Sequence, residues 1–152
     1  MTIADHLVRA PIADRLAWAP ISWGVCEGIG LCLDTGHLLI GGADPVALAA
    51  EHPGRIRHTH LKDVDATWAR RVRSGAVTYT DAVRGGMYRP LGRGDVDSAA
   101  IVGSLELVGY DGWYVLEQDT ILVGPPQAGH HAPMTDVRAS IEHLFAIAGA
   151  LS

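Results

Sequence analysis

Several residue types are scarce in this sequence, and each scarcity argues against a class of protein. Only two cysteines occur in the 152 residues, and the spacing of Cys26 and Cys32 fits neither a C-x-x-C metal pair nor a disulfide framework. We expect free thiols in a reducing compartment. No apolar run approaches the roughly 18–20 residues of a membrane span. The N-terminal residues include Asp5 and Asp14 and lack the apolar core of a signal peptide. We therefore expect a cytoplasmic protein without a membrane partner.

Basic charge is scarce as well. Lysine and arginine number 12 against 17 aspartates and glutamates, and the net charge is -5. The largest basic cluster is confined to residues 70–73. Proteins that bind nucleic acid through its phosphates normally present a basic face, so a nucleic-acid partner is disfavoured. The hydrophobic share of 48% indicates a globular chain, and the length predicts a single domain over residues 1–152.

Short apolar segments alternate with helical ones along the chain. Asp44 and Pro45 are a good N-cap and first residue for a helix over Val46–Glu51, and Asp97 is a good cap for a later one. Residues 65–95 are polar and rich in glycine, with short helical pieces at Thr67–Arg73 and Thr80–Val83, and a final helix is predicted over Asp136–Ala148. The alternation predicts an α/β fold with parallel strands at Leu16–Ser22, Gly30–Leu33, Ile56–Leu61 and Trp113–Leu116.

Three of the predicted strands end in a polar residue that can coordinate metal or carry protons, namely Asp34, His60 and Glu117. The carboxyl ends of parallel strands lie on one rim of the fold, where active sites form. Strand alternation also puts His58 on the same face as His60. A mixed oxygen and nitrogen set suits Mn²⁺ or Co²⁺, with Mg²⁺ or Zn²⁺ as alternatives. A cation there would polarise a carbonyl, as isomerisation, epimerisation and dehydration beside a ketone require.

Each of these residues also has an ordinary structural explanation. An aspartate after a strand, such as Asp34, is often only a helix cap, and a single strand histidine is more often a hydrogen-bonded core residue than a ligand. Glu117 has the stronger claim, because burying a carboxylate without a partner is costly. Lys62 is either a proton donor or a solvated rim lysine. His37 either reaches a substrate hydroxyl or braces its loop.

Five segments together resemble the xylose-isomerase-like (β/α)-barrel family, and within it the inosose dehydratases. The segments are APISWGVCE (19–27), LCLDTGHLLIGGADP (31–45), RIRHTHLKDV (55–64), YRPLGRGDVD (88–97) and YDGWYVLEQD (110–119). The resemblance implies a (β/α)₈ barrel with a divalent metal at its carboxyl rim. It implies metal ligands at Asp34, His60 and Glu117, acid/base groups at Glu117 and Lys62, and substrate contacts at His37, Trp23, Arg93 and His58.

The chain departs from that family in length. A complete barrel needs about 200 residues or more. In the family, the PISWG segment closes the first strand and the LCLDTGH segment belongs to a strand well past the middle of the barrel. Here only Val25–Gly30 separates the two segments, so the βα units between them are missing. The glutamate that is the family's fourth metal ligand is missing with them. Glu27 is the only nearby carboxylate that could replace it. We therefore expect an α/β fold that is a partial TIM-type barrel with about four parallel strands.

The missing units lead to expectations about strand pairing. A parallel crossover takes a dozen or more residues, so the first strand should lie apart from Gly30–Leu33 and pair with Trp113–Leu116. The inner face of the sheet should be an exposed apolar surface, and open edges should favour a homo-oligomer.

The resemblance implies a metal-dependent lyase of inositol catabolism that removes water from a keto-inositol, and the missing units should impair it. The alternatives are a non-catalytic remnant and a sugar epimerase or isomerase. In each case the expected partner is a small polyol or keto-sugar.

Overall fold

The computed structural model describes residues 17–18, 30–121 and 133–151. Its strands are β1 (Ala17–Trp18), β2 (Gly30–Asp34), β3 (Ile56–Leu61), β4 (Asp63–Val64), β5 (Tyr88–Arg89) and β6 (Trp113–Leu116). Its helices are α1 (Thr35–Gly41), α2 (Pro45–Glu51), α3 (Ala66–Arg73), α4 (Tyr79–Arg84), α5 (Ser98–Glu106) and α6 (Pro133–Leu151). A four-stranded sheet has the order β1-β2-β3-β6, and β4 and β5 form a separate antiparallel pair. The predicted α/β class is confirmed, and within the described residues the sheet is open and does not close into a barrel.

The main sheet is parallel throughout, and two of its strands end where the sequence predicts. β3 and β6 match their predicted bounds, and β2 extends one residue further, to Asp34. Helix α2 begins at Pro45, and the Asp44 carboxylate accepts hydrogen bonds from two backbone N–H groups of its first turn. Residues 65–95 contain α3, α4 and β5 and are therefore ordered rather than a long loop. Helix α1 was not predicted, because its glycines and short length give no clear helical period.

The pairing predicted for the first strand is wrong. β1 lies beside β2, in parallel register with Ala17 opposite Gly30 and Trp18 opposite Leu31, and β6 pairs with β3 instead. The prediction ended the strand at Ser22, which left too short a connection for a parallel crossover. The two residues of β1 that the structure describes nevertheless pair with β2, so the length of the connection did not keep the two strands apart.

The two faces of the sheet differ in chemistry. One face packs against the helices and contributes Leu33, Ile56 and Leu61, all about 1% exposed, to the hydrophobic core. On β2 and β3, the opposite face carries Cys32, Asp34, His58 and His60, all partly exposed. The expectation of an apolar inner face is therefore wrong for these two strands, because ionisable residues alternate there with the core residues.

Asp63 organises the glycine-rich segment after β5. Its carboxylate is 1% exposed and accepts hydrogen bonds from the backbone N–H groups of Gly92, Gly94, Val96 and Val64, at 2.8 to 3.0 Å. A side chain at position 94 would collide with this carboxylate, so the close approach requires glycine. One buried carboxylate thus sets the path of the chain from β5 to α5.

Helix α6 runs for 19 residues and packs against α5 and β6. No described helix, α6 included, combines the length and apolar character that crossing a membrane requires. Cys32 is a free, half-buried thiol, as the sequence predicts, and Cys26 lies outside the described residues.

Candidate metal and acid–base site

Asp34 is a helix cap, which is one of the two roles that the sequence allowed, and its side chain also reaches the rim. It ends β2 and caps α1, with its Oδ1 accepting a hydrogen bond from the backbone N–H of His37 at 2.9 Å. Its Oδ2 faces the rim and lies 2.7 Å from Nδ1 of the same histidine. Burial acts to raise the pKa of Asp34, but the His37 N–H and the charge of Lys62 outweigh it and hold that pKa below its usual value. The group is therefore a carboxylate at neutral pH.

His60 and Glu117 reach the same point of the rim from the next two strands. His60 lies directly opposite Asp34 in the β2–β3 register, and the Glu117 N–H bonds to the Leu61 carbonyl. His60 Nδ1 is 3.3 Å from Glu117 Oε1 and 3.7 Å from Asp34 Oδ2. One ligand atom from each of the three side chains lies within 4.8 Å of the others. The structure thus brings the three residues together, and their role as ligands remains a prediction.

Lys62 is the cation at the centre of this group. Its side chain is 5% exposed, and Nζ lies 2.7 Å from Glu117 Oε2. The same ammonium is 3.1 Å from Asp119 Oδ2 and 3.3 Å from Asp34 Oδ2. Burial acts to lower the pKa of Lys62, but hydrogen bonds to Glu117 and Asp119 outweigh it and raise that pKa above its usual range. Lys62 is therefore a buried ammonium at neutral pH and not a solvated rim lysine, and its role as a proton donor remains a prediction.

Thr35 fixes the backbone of this lysine. The Thr35 hydroxyl is fully buried, donates to the Lys62 carbonyl at 2.7 Å and accepts from the Lys62 N–H at 2.9 Å. A buried hydroxyl with both hydrogen-bonding functions satisfied holds its partner in one position. The start of α1 and the end of β3 are thereby tied together, and the Lys62 side chain leaves a rigid backbone.

The charges of the group suit a divalent cation. Asp34, Glu117 and Asp119 supply three carboxylates, and the Lys62 ammonium compensates only one of them. Two carboxylate oxygens and one imidazole nitrogen are ligands that Mn²⁺ and Co²⁺ accept. The donor set formed by Asp34, Glu117 and His60 therefore fits the metal that the family resemblance implies.

A cavity of about 480 Å³ opens beside this group, a volume in the range of small-molecule sites. Its lining is His37, Lys62, Tyr79, Thr80, Val83, Asp119, Thr120 and Ile121. The Tyr79 hydroxyl is 2.6 Å from the Tyr88 hydroxyl and 3.5 Å from His37 Nε2. Burial and the bond to Tyr79 raise the pKa of Tyr88, so that hydroxyl stays protonated. The cavity thus offers several hydroxyl, imidazole and carboxylate groups to a polyhydroxylated ligand.

Sequence reasoning missed Asp119 and Tyr79. Asp119 stands two residues after Glu117, and the period of two that relates His58 to His60 would have placed it on the same side. Tyr79 carries no such signal, because α4 brings it to the rim only through the fold of residues 65–95.

The remaining predicted residues occupy different places. His37 is exposed at the cavity, and His58 lies one residue pair deeper than His60 on the same face of β3. Arg93 is exposed on the glycine-rich segment, and among the described residues its side chain makes no hydrogen bond or ion pair with a rim residue. Trp23 and Glu27 lie outside the described residues. The substrate-binding roles of these residues remain predictions.

Parallel strands, helices on one face and ionisable side chains at the strand ends define an α/β chain of the barrel type. The sequence pattern of the family described as "Xylose isomerase-like TIM barrel" matches residues 22–147. The chain belongs to this family.

Curated relatives carry the names of a rhizopine catabolism protein and of inosose dehydratases. The chain is 38% identical over 124 residues to "Rhizopine catabolism protein MocC" of Rhizobium meliloti, covering 82% of the chain and 36% of that protein. It is 37% identical over 99 residues to "Inosose dehydratase" of Geobacillus thermodenitrificans, covering 64% of the chain and 33% of that protein. The chain thus spans about a third of the length of the curated relatives it matches.

Solved structures support the fold alone. A xylose isomerase domain protein from Planctomyces limnophilus superposes with a TM-score of 0.56 at 18% identity, covering 84% of the chain and 38% of that structure. A D-tagatose 3-epimerase-like protein superposes with a TM-score of 0.54 at 17% identity, covering 86% of the chain and 39% of that structure. Identities this low carry no statement about substrate.

Proposed function

We propose that this chain carries the acid–base and metal-binding rim of a hydro-lyase that removes water from a keto-inositol such as inosose. The observation that carries the proposal is the contact between Lys62 Nζ and Glu117 Oε2 at 2.7 Å, directly beside the predicted ligands Asp34 and His60. The names of the curated relatives supply the substrate class. The cavity, lined by hydroxyl and charged groups, suits a polyol.

Asp34, His60 and Glu117 would hold the divalent cation, Mn²⁺ or Co²⁺. When bound, such a cation polarises a substrate carbonyl and makes the neighbouring C–H more acidic. The two oxygens of Glu117 face different partners, since Oε1 lies 3.3 Å from His60 and Oε2 lies 2.7 Å from Lys62. One carboxylate can therefore serve as a ligand through one oxygen and exchange a proton through the other.

The proton transfers follow from these contacts. The Glu117 carboxylate removes the proton from the carbon next to the ketone, and Lys62 donates a proton to the hydroxyl that leaves from the next carbon. The hydroxyl departs as water with the proton from Lys62, the carbon-bound proton stays on Glu117, and the C–H electron pair forms a carbon–carbon double bond as the C–O bond breaks. The proton on Glu117 then passes to Lys62 across their 2.7 Å contact, which restores both groups.

His37 and Tyr79 are proposed to orient the substrate. His37 Nδ1 is held by Asp34 at 2.7 Å, and the Tyr79 hydroxyl is 3.5 Å from His37 Nε2. Both line the cavity, where a ring of hydroxyl groups would find hydrogen-bond donors and acceptors. Fixed hydrogen-bonding groups of this kind select one orientation of a polyol.

A second candidate is a protein that binds the polyol and metal without turnover. The open sheet favours it, because within the described residues only β1, β2, β3 and β6 form the wall that eight strands form in a complete barrel. Two copies that pair their open edges would supply more of that wall, so we propose that any activity resides in a homo-oligomer.

The test is an inosose dehydration assay on the purified, metal-stripped protein with Mn²⁺ or Co²⁺ added back. Loss of water is followed by mass spectrometry, and light scattering gives the oligomeric state of each fraction. We expect slow turnover that Glu117→Gln and Lys62→Met remove and that Asp81→Asn, an exposed carboxylate paired with Arg84, leaves intact.

The outcomes separate the candidates. Metal binding without water loss would favour the binding protein over the lyase. A stable monomer that turns over as fast as a complete barrel enzyme would contradict the proposed impairment and the proposed oligomer.

A further inference from the structure

A second group of ligating side chains lies one residue pair below the rim. Cys32 on β2 is directly opposite His58 on β3, and His60 follows two residues later on the same face. The imidazole rings of His58 and His60 are 5.1 Å apart between centroids. One ligand atom each from the thiol and the two imidazoles lies within 4.8 Å of the others.

The donors of this group differ from those of the rim. The rim offers two carboxylates and an imidazole, whereas the lower group offers one sulfur and two imidazole nitrogens. Carboxylates suit hard ions such as Mg²⁺ and Mn²⁺, and thiolate with imidazole favours Zn²⁺ and other thiophilic ions. The two groups share only His60, so they present two different chemistries to metal ions on adjacent levels of one sheet.

The geometry is close to that of a zinc site. Ligand atoms on a tetrahedral zinc, with bonds of about 2.0–2.3 Å, lie about 3.3–3.8 Å from one another. The ligand atoms of Cys32, His58 and His60 lie within 4.8 Å of one another. Rotation about side-chain bonds that moves each atom by roughly an ångström would bring them to that spacing. Cys32, His58 and His60 are all half-buried rather than sealed in the core, so an ion can enter and a water can complete the coordination.

We propose that Cys32, His58 and His60 form a second metal site, selective for a thiophilic divalent ion of the Zn²⁺ type. Binding releases the thiol proton, and the thiolate and the two imidazoles ligate the ion, with solvent in the fourth position. Because His60 belongs to both groups, an ion in the lower site withdraws that imidazole from the rim site. Zn²⁺ then acts as an antagonist of the Mn²⁺ or Co²⁺ that the rim takes.

The first test adds Co²⁺ alone to the full, metal-stripped chain and records the near-ultraviolet charge-transfer absorption of a cobalt–thiolate bond. We expect the band in the wild type, its loss in Cys32→Ser and its displacement by Zn²⁺. The band should persist in Cys26→Ser, which removes the other cysteine, and in Glu117→Gln, which disables the rim alone. Absence of the band in the wild type, its survival in Cys32→Ser or its loss in Cys26→Ser overturns the proposal.

A second measurement needs no variant and so does not depend on how a variant folds. The wild-type chain is alkylated in limiting reagent with Zn²⁺, with Mg²⁺ or with neither, and peptide mass spectrometry reports each cysteine separately. Saturating Zn²⁺ should slow the alkylation of Cys32 by about tenfold or more, because a metal-bound thiolate is not a free nucleophile. Mg²⁺ should not, and Cys26 is the internal control. Equal protection by both ions, or none by Zn²⁺, rejects the thiolate site.

Discussion

Lys62 and Asp63 are neighbours along the chain, yet they belong to two different charged clusters. In the first cluster the Asp63 carboxylate is bound by backbone N–H groups, and in the second the Lys62 ammonium is surrounded by carboxylates. The Asp63 carboxylate is 1% exposed and receives four backbone N–H groups, from Val64, Gly92, Gly94 and Val96. Three carboxylates around Lys62 share a single ammonium, and one of them, that of Asp119, lines an open cavity. The first cluster is complete within the chain, whereas the second carries excess negative charge.

This difference indicates which cluster has capacity for a ligand. Fixed backbone donors occupy the lone pairs of Asp63, and a buried carboxylate satisfied in this way is a structural element. The partners of Glu117 and Asp119 are side chains, which can move, and both carboxylates are partly exposed. The Asp63 carboxylate therefore stabilises the fold, whereas the carboxylates of Glu117 and Asp119 have capacity for a ligand.

The largest expected effect comes from breaking the structural cluster. Asp63→Ala leaves four backbone N–H groups without their acceptor, and we expect it to lower the free energy of unfolding by roughly 3 kcal/mol or more. Asp119→Ala removes a partly exposed partner of Lys62 and should cost about 0–1 kcal/mol. Urea denaturation followed by circular dichroism measures both. Equal costs for the two variants would remove the distinction between the clusters.

The next effect concerns metal binding at the rim. A cation at one hundred times its Kd stabilises the folded chain by about 2.7 kcal/mol, so Mn²⁺ or Co²⁺ should raise Tm. Glu117→Gln should abolish most of that rise, because it removes one ligand and one charge. Lys62→Met should enlarge it, because the compensating ammonium is gone.

Thermal denaturation with and without metal gives these shifts. Asp81→Asn is the matched control, because the Asp81 carboxylate pairs with Arg84 and not with a rim residue. A Tm that does not respond to millimolar metal in the wild type would argue against the rim site. A smaller rise in Lys62→Met than in the wild type would show that the lysine supports the metal rather than competing with it.

The smallest effect is a pH dependence at Asp65, the cap of α3. Burial acts to raise the pKa of Asp65, but the Arg89 hydrogen bond and the N–H groups of Thr67 and Trp68 outweigh it and hold that pKa below its usual value. A depressed pKa stabilises the fold above the unfolded value of about 3.9, and the contribution is lost as the pH falls through the folded pKa.

Asp65→Asn keeps a good cap and removes the charge, so the loss at neutral pH should stay below about 1 kcal/mol for this partly exposed pair. The difference from the wild type should disappear once the pH falls below the folded pKa of Asp65, where both side chains are neutral. Asp97→Asn is the control, since Asp97 caps α5 and pairs with no basic side chain among the described residues. A difference that persists in acid would assign the effect to capping geometry instead of charge.

Local patterns were sufficient for most strands and for the rim residues. β6 is short and apolar and is followed by Glu117, and β3 alternates with a period of two. Asp34 ends β2, and His60 lies near the end of β3. Helix α1 escaped prediction, because seven residues with two glycines resemble a turn. The β4–β5 pair escaped it for another reason: each strand has two residues, and their pairing depends on contacts between distant parts of the chain.

The sequence by itself determined the α/β class, the parallel strands, the caps at Asp44 and Asp97, and the family, because these depend on local period and on motifs within short segments. Tertiary structure alone decided that β1 lies beside β2, that Lys62 sits among three carboxylates, and that Cys32 meets His58 and His60. The physical reason is that side-chain period assigns a residue to a face, whereas strand order and register decide which residues of that face meet.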